Sequence, residues 1–178
     1  MLSTVNNNRV NTYENNKNIN KAENNNTNII KNNTIKEENN TVANNINSIN
    51  NVSSSNNKMD DAVRLIESKV GNRYVWGATG PNTFDCSGLV QYVYKNALGK
   101  DIPRTSYEQS KFGQAVDKKN LQVGDLVFFD TMGKGRVSHV GMYVGNNEFV
   151  HAANSKDGIK KSKLTGYYET HYRGARRP

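Results

Sequence analysis

The chain has 178 residues and a formal net charge of +8, but its composition divides sharply. One cysteine excludes an internal disulfide, and no apolar run approaches the roughly 20 residues that a membrane-spanning helix needs. Residues 1–57 hold 23 Asn and no Gly, Pro, Cys, Trp or Phe, whereas residues 58–178 carry 19 Lys or Arg against 12 Asp or Glu.

The first of these segments shows no sustained apolar period, so it cannot bury enough surface to offset its ordering entropy. It reads as a disordered Asn-rich leader or linker. The start, Met1-Leu2-Ser3-Thr4-Val5-Asn6, has neither a basic nor an apolar signal-peptide region. Residues 58–178 are long enough for one core and read as a single domain. Their basic balance suits an anionic membrane surface or anionic cell-wall polymers, or simply a solvated face. No recognition helix, RNA-binding aromatic motif or zinc-finger spacing is visible, so nucleic acid is set aside.

Apolar residues at Met59, Ala62, Val63, Ile66 and Val70 predict a first helix over 60–70, with Asp60 and Asp61 as caps and Gly71 as the stop. A loop follows over 72–83, rich in Gly and carrying Tyr74 and the lone Trp76. A second helix is expected over 86–98, burying Leu89, Val90, Val93, Tyr94 and Ala97 and closed by Gly99. Cys86 would then open that helix, where free backbone N–H groups and the helix dipole favour a thiolate. Thr105 or Ser106 should cap a short helix near 106–111. From Leu121 the pattern turns to strands: 125–129 as a central strand buried on both faces, then 137–144, 148–153 and 159–164. Residues 167–177 fit either a helical turn or a closing strand. Helices followed by an antiparallel sheet give an α+β domain.

A lone cysteine is more often a small buried hydrophobe than a nucleophile. Here His139 and His151 lie on consecutive strands. If residues 145–147 form a three-residue loop, Val144 pairs with Glu148, His139 faces Ala153, and His151 is its diagonal neighbour on the same face. A one-residue slip would put His151 on the other face. Gly141 beside His139 should leave room for the cysteine helix to approach. Nucleophile, base and orienter is the preferred reading; zinc held by Cys86, His139 and His151 is the alternative, and His171 is taken as structural.

The motifs Tyr74-Val75-Trp76-Gly77, Asp85-Cys86-Ser87-Gly88-Leu89-Val90, Pro103-Arg104-Thr105-Ser106, Gly124 to Phe129, Ser138 to Tyr143 and Phe149-Val150-His151-Ala152 occur in this order. In that order and spacing they resemble the NlpC-type cell-wall cysteine peptidases over residues 59–178. The resemblance implies a papain-like α+β fold, no cofactor or metal, and hydrolysis of an amide in the peptidoglycan stem peptide, between D-glutamate and diaminopimelate or lysine. It implies Cys86 as nucleophile, His139 as base, His151 as orienter and Tyr74 near the oxyanion. Asp85 and Ser87 match residues that meet the free amine of a stem peptide, and Arg104 lies along the groove. Trp76, in the same loop as Tyr74, is taken as a wall of the site. Ala78 stands where many members have a second glycine after Trp. Such an enzyme would work in the cell wall or outside the cell. An amidase or acyltransferase on the same fold, or a non-catalytic basic wall-binding module, are the rival readings.

Overall fold

The computed structural model describes residues 57–178. The leader expected over 1–57 therefore lies, but for its last residue, outside the described residues.

The backbone is helical from 57 to 67 (α1). Met59 continues the apolar stripe of Ala62, Val63 and Ile66 onto the core, so helix and stripe extend together. Asp60 and Asp61 consequently lie inside α1 and do not cap it; Asp61 pairs with Arg64 one turn on. Two short strands, β1 (Arg73–Tyr74) and β2 (Thr83–Phe84), pair in parallel and set Tyr74 opposite Phe84.

Helix α2 runs Cys86–Leu98. It ends as expected at Gly99, whose φ of 64° is the left-handed conformation a glycine adopts without steric cost. Leu89, Val90 and Val93 are fully buried, each contributing roughly 1.5–3 kcal/mol by leaving water. Helix α3 is shorter than expected, Ser106–Gln109. Thr105 and Glu108 close a reciprocal capping box at its start.

The remaining chain builds an antiparallel six-stranded sheet. Its strands are β3 (Gln114–Val116), β4 (Leu126–Phe129), β5 (His139–Gly145), β6 (Glu148–Asn154), β7 (Gly158–Lys163) and β8 (Tyr172–Arg177), in the order β3-β8-β4-β5-β6-β7. A one-turn helix, α4 (Tyr167–Thr170), precedes β8, so residues 167–177 hold both of the forms their sequence allowed. Every residue of β4 is buried. Leu126 and Phe128 enter a cluster with α1 and α2, while Val127 and Phe129 enter a second one with Phe149, Tyr168 and Tyr172. The sheet thus has two apolar faces.

The β5–β6 hairpin reaches the expected register by another route. Met142 pairs with Val150 and Tyr143 with Phe149, but Gly145 then pairs with Glu148 across a bulge. The turn is only Asn146-Asn147, both left-handed at φ 52° and 59°, the geometry of a two-residue turn that matches strand twist. The slip that a two-residue loop would impose is cancelled by the extra residue in β5.

Candidate active site

Cys86 is the first residue of α2, only 8% exposed, and its cap is Asp85. The backbone amides of Val140, Ser87 and Cys86 itself act to lower the thiol, and Val140 follows His139 at the start of β5. Burial, followed by the Asp85 charge, outweighs those amides and pushes the thiol up to about 11. The helix-end amides favour the thiolate, as expected, but burial outweighs them. The resting group is a neutral thiol, and attack requires a base.

Asp85 is buried and heavily used. Its Oδ1 accepts from the Gly88 amide at 2.7 Å, from Arg104 Nη1 at 3.1 Å and from Ser87 Oγ at 3.3 Å. Its Oδ2 accepts from the Gly77 amide at 3.0 Å and from Arg104 Nη2. Arg104 Nη1 also donates to Ser87 Oγ at 2.9 Å. These five donors nearly saturate a carboxylate, so Asp85 serves first as cap and as arginine partner, a role that the motif alone did not reveal. The frame holds Arg104 and Ser87 beside the nucleophile.

The loop around Ala78 is tied to the same frame. The Asp85 amide donates to the Ala78 carbonyl at 2.9 Å, and the Ala78 amide donates to the Val75 carbonyl at 3.1 Å. Gly88 lets this loop cross α2, because a Cβ there would collide with the Ala78 carbonyl oxygen. Tyr74 lies at the end of β1, half-buried. Burial, with the charges of Cys86 and Asp85, raises its phenol, which stays protonated. Trp76 projects into solvent, 82% exposed, one residue before the Gly77 amide that binds Asp85.

His139 and His151 are both buried, and His139 Nε2 lies 2.8 Å from His151 Nδ1. The two nitrogens share a proton between them and do not converge on an ion. Among the described residues, no group of three or more His, Cys, Asp and Glu side chains is placed to hold a metal. With Nε2 engaged, His139 has Nδ1 left to receive a proton. Burial pushes His139 down to about 4 and, together with the charges of His139 and Lys160, His151 down to about 2. Both rings are neutral at rest. The space opened at Gly141 serves this pair and not α2: a Cβ there would meet the Phe149 ring at 2.5 Å and His151 Cβ at 3.0 Å.

His151 Nε2 in turn lies 3.0 Å from Ser162 Oγ and 3.4 Å from the Tyr168 hydroxyl. Neither residue was singled out from the sequence. Ser162 sits in an alternating β7 run, and only the β6–β7 register, with His151 opposite Lys160 and Phe149 opposite Ser162, makes it a diagonal neighbour of His151. His171 stacks on Tyr167, away from this group.

The NlpC/P60 family model matches residues 71–177. Among curated proteins, the murein DD-endopeptidase MepH of Escherichia coli (strain K12) is 42% identical over 120 residues, which are 65% of this chain and 44% of that protein. The gamma-D-glutamyl-L-lysine dipeptidyl-peptidase of Bacillus cereus (strain ATCC 10987) is 42% identical over 121 residues, 66% of this chain and 36% of that protein. This chain therefore spans less than half the length of either relative. A solved NlpC/P60 family protein from Bacillus cereus ATCC 10987 superposes with a TM-score of 0.63 at 41% identity, covering 67% of this chain and 39% of that one. Motifs, fold and match agree, and the chain belongs to the NlpC/P60 family.

Proposed function

We propose that this chain is a peptidoglycan hydrolase, a cysteine endopeptidase that cleaves an amide bond of the stem peptide through a thioester. The observation that carries this reading is a buried neutral thiol at a helix start, one residue in space from a strand whose first side chain is His139, itself engaged by His151. His139 Nδ1 takes the thiol proton, and Cys86 Sγ attacks the scissile carbonyl carbon. The Nε2–H of the resulting imidazolium donates to His151 Nδ1, which orients the ring and supports its charge. The Cys86 amide and the Tyr74 hydroxyl would receive the oxyanion. His139 then protonates the leaving amine, and water cleaves the thioester.

In this reading Ser87, Arg104 and the exposed Trp76 contact the substrate, with Asp85 fixing the first two. An arginine with Asp85 and Ser87 suits a short peptide with its own termini near the scissile bond. That favours cleavage between D-glutamate and the diamino acid, the bond type named for the Bacillus relative. The second reading is the cross-link bond implied by the name of the Escherichia coli relative. Both place the enzyme where peptidoglycan is, in the cell wall or outside the membrane. The basic surface would add affinity for anionic wall polymers.

Mass spectrometry of products from defined muropeptides tests this. The full chain should give fragments with a new D-glutamyl γ-carboxylate and a new amine on lysine or diaminopimelate. Products split only at the cross-link would replace the first bond by the second; a new free lactyl carboxylate on the sugar would mean an amidase and overturn both.

A further inference from the structure

The third member of this relay is a histidine, and that poses a problem that a carboxylate would not. A carboxylate only accepts, whereas a neutral imidazole carries one proton that can sit on either nitrogen. If the His151 proton is on Nδ1, it points at His139 Nε2. His139 must then accept there and carry its own proton on Nδ1, where it cannot take one from a thiol. If the proton is on Nε2, His151 Nδ1 accepts from His139 Nε2–H and His139 Nδ1 is free. Only the second arrangement survives formation of the His139 imidazolium, which has both nitrogens protonated.

We infer that Ser162 is a positioning residue that selects the Nε2–H tautomer of His151 and so keeps His139 competent as a base. Resting on the nucleophile–base–orienter reading above, the inference extends the relay by one residue on β7. Ser162 Oγ is the nearest partner of His151 Nε2, at 3.0 Å, against 3.4 Å for the Tyr168 hydroxyl. Ser162 Oγ and the Tyr168 hydroxyl thus both lie on the Nε2 side of the His151 ring. Ser162, half-buried, can turn its own O–H toward solvent and accept from His151. Burial holds His151 neutral, with a single N–H to place. The Phe149 and Tyr168 rings pack on His151, and among the described residues the only other oxygen within reach of its Nε2 is the more distant Tyr168 hydroxyl. The chain of donors then runs in one direction: His139 Nε2–H to His151 Nδ1, and His151 Nε2–H to Ser162 Oγ.

The test is long-range ¹H–¹⁵N NMR on the full chain labelled in its three histidines, combined with kinetics on a defined muropeptide. In the wild type, His151 should show a protonated Nε2 and a pyridine-type Nδ1. Ser162→Ala should mix the two tautomers and lower kcat about tenfold with KM little changed, while Ser162→Thr restores both readouts. A wild-type His151 protonated on Nδ1 would overturn the inference. So would Ser162→Ala with wild-type kcat, or a loss of kcat with the His151 tautomer unmoved and no recovery in Ser162→Thr. Failure of the underlying reading looks different: Cys86→Ala would turn over substrate, whatever tautomer His151 shows.

Discussion

The two faces of the sheet bury polar groups by opposite means. On the α2 face, backbone amides act to lower the Cys86 thiol, and beside it the Asp85 charge is met by Arg104, Gly77 and Gly88. On the α4 face, His139, His151 and Ser162 form a neutral chain among Phe129, Phe149 and Tyr168. Charge is tolerated where an arginine and peptide dipoles are already aimed at it; among aromatic rings, histidines stay uncharged. The proposed reaction moves a proton from the first environment to the second. The barrier therefore depends on how well His151 and the Cys86 amides receive charges that neither face holds at rest.

Substitutions should rank accordingly. His139→Ala removes the proposed base and should cost up to about 10⁴-fold in kcat. Tyr74→Phe removes the proposed oxyanion donor and should cost about 10²–10³-fold. His151→Ala leaves base and nucleophile in place and should cost about 10–10²-fold, from lost orientation. Steady-state kinetics on one muropeptide ranks all three; a His151→Ala variant as inert as His139→Ala would mean that His151 does more than orient.

A smaller effect separates the faces without any substrate. His139 and His151 titrate below the ordinary imidazole value of about 6.5 because they are buried. The unfolded chain then binds more protons than the folded one at acid pH. Their contribution is intact above about pH 6.5 and is lost as pH falls toward 4, at up to about 1.4 kcal/mol per pH unit for each ring. Cys86 is shifted the other way, so its contribution is intact below its unfolded value and lost as pH rises toward 11. Urea unfolding across pH should show His151→Gln flattening the acid limb and Cys86→Ala flattening part of the alkaline limb. Equal slopes in wild type and His151→Gln would break the contrast.

Much of this was legible in the chain. The α2 span, its glycine stop and its buried stripe follow from apolar period and cap chemistry, which are local. The His139–His151 pairing was legible because alternation in two adjacent strands fixes a face. Its loop was not: Asn146-Asn147 and a bulge reproduce a register that a three-residue loop would also give, and a bulge leaves no mark on alternation. β8 enters between β3 and β4 from the far end of the chain, a long-range pairing for which Tyr172 to Arg177 carry no local signal. The neutral thiol was equally hidden. A helix start reads as activating from sequence, and only the packing of α2 on β5 shows that desolvation prevails. Ser162 looked like one more outward strand residue until the β6–β7 register placed it.

The central claim is that Cys86 forms the covalent bond, and the most direct measurement is fragment release from defined muropeptides by the full-length Cys86→Ala variant, with its fold verified by circular dichroism. The account predicts no release above background while the wild type turns over. Release by Cys86→Ala at a rate near that of the wild type would contradict it.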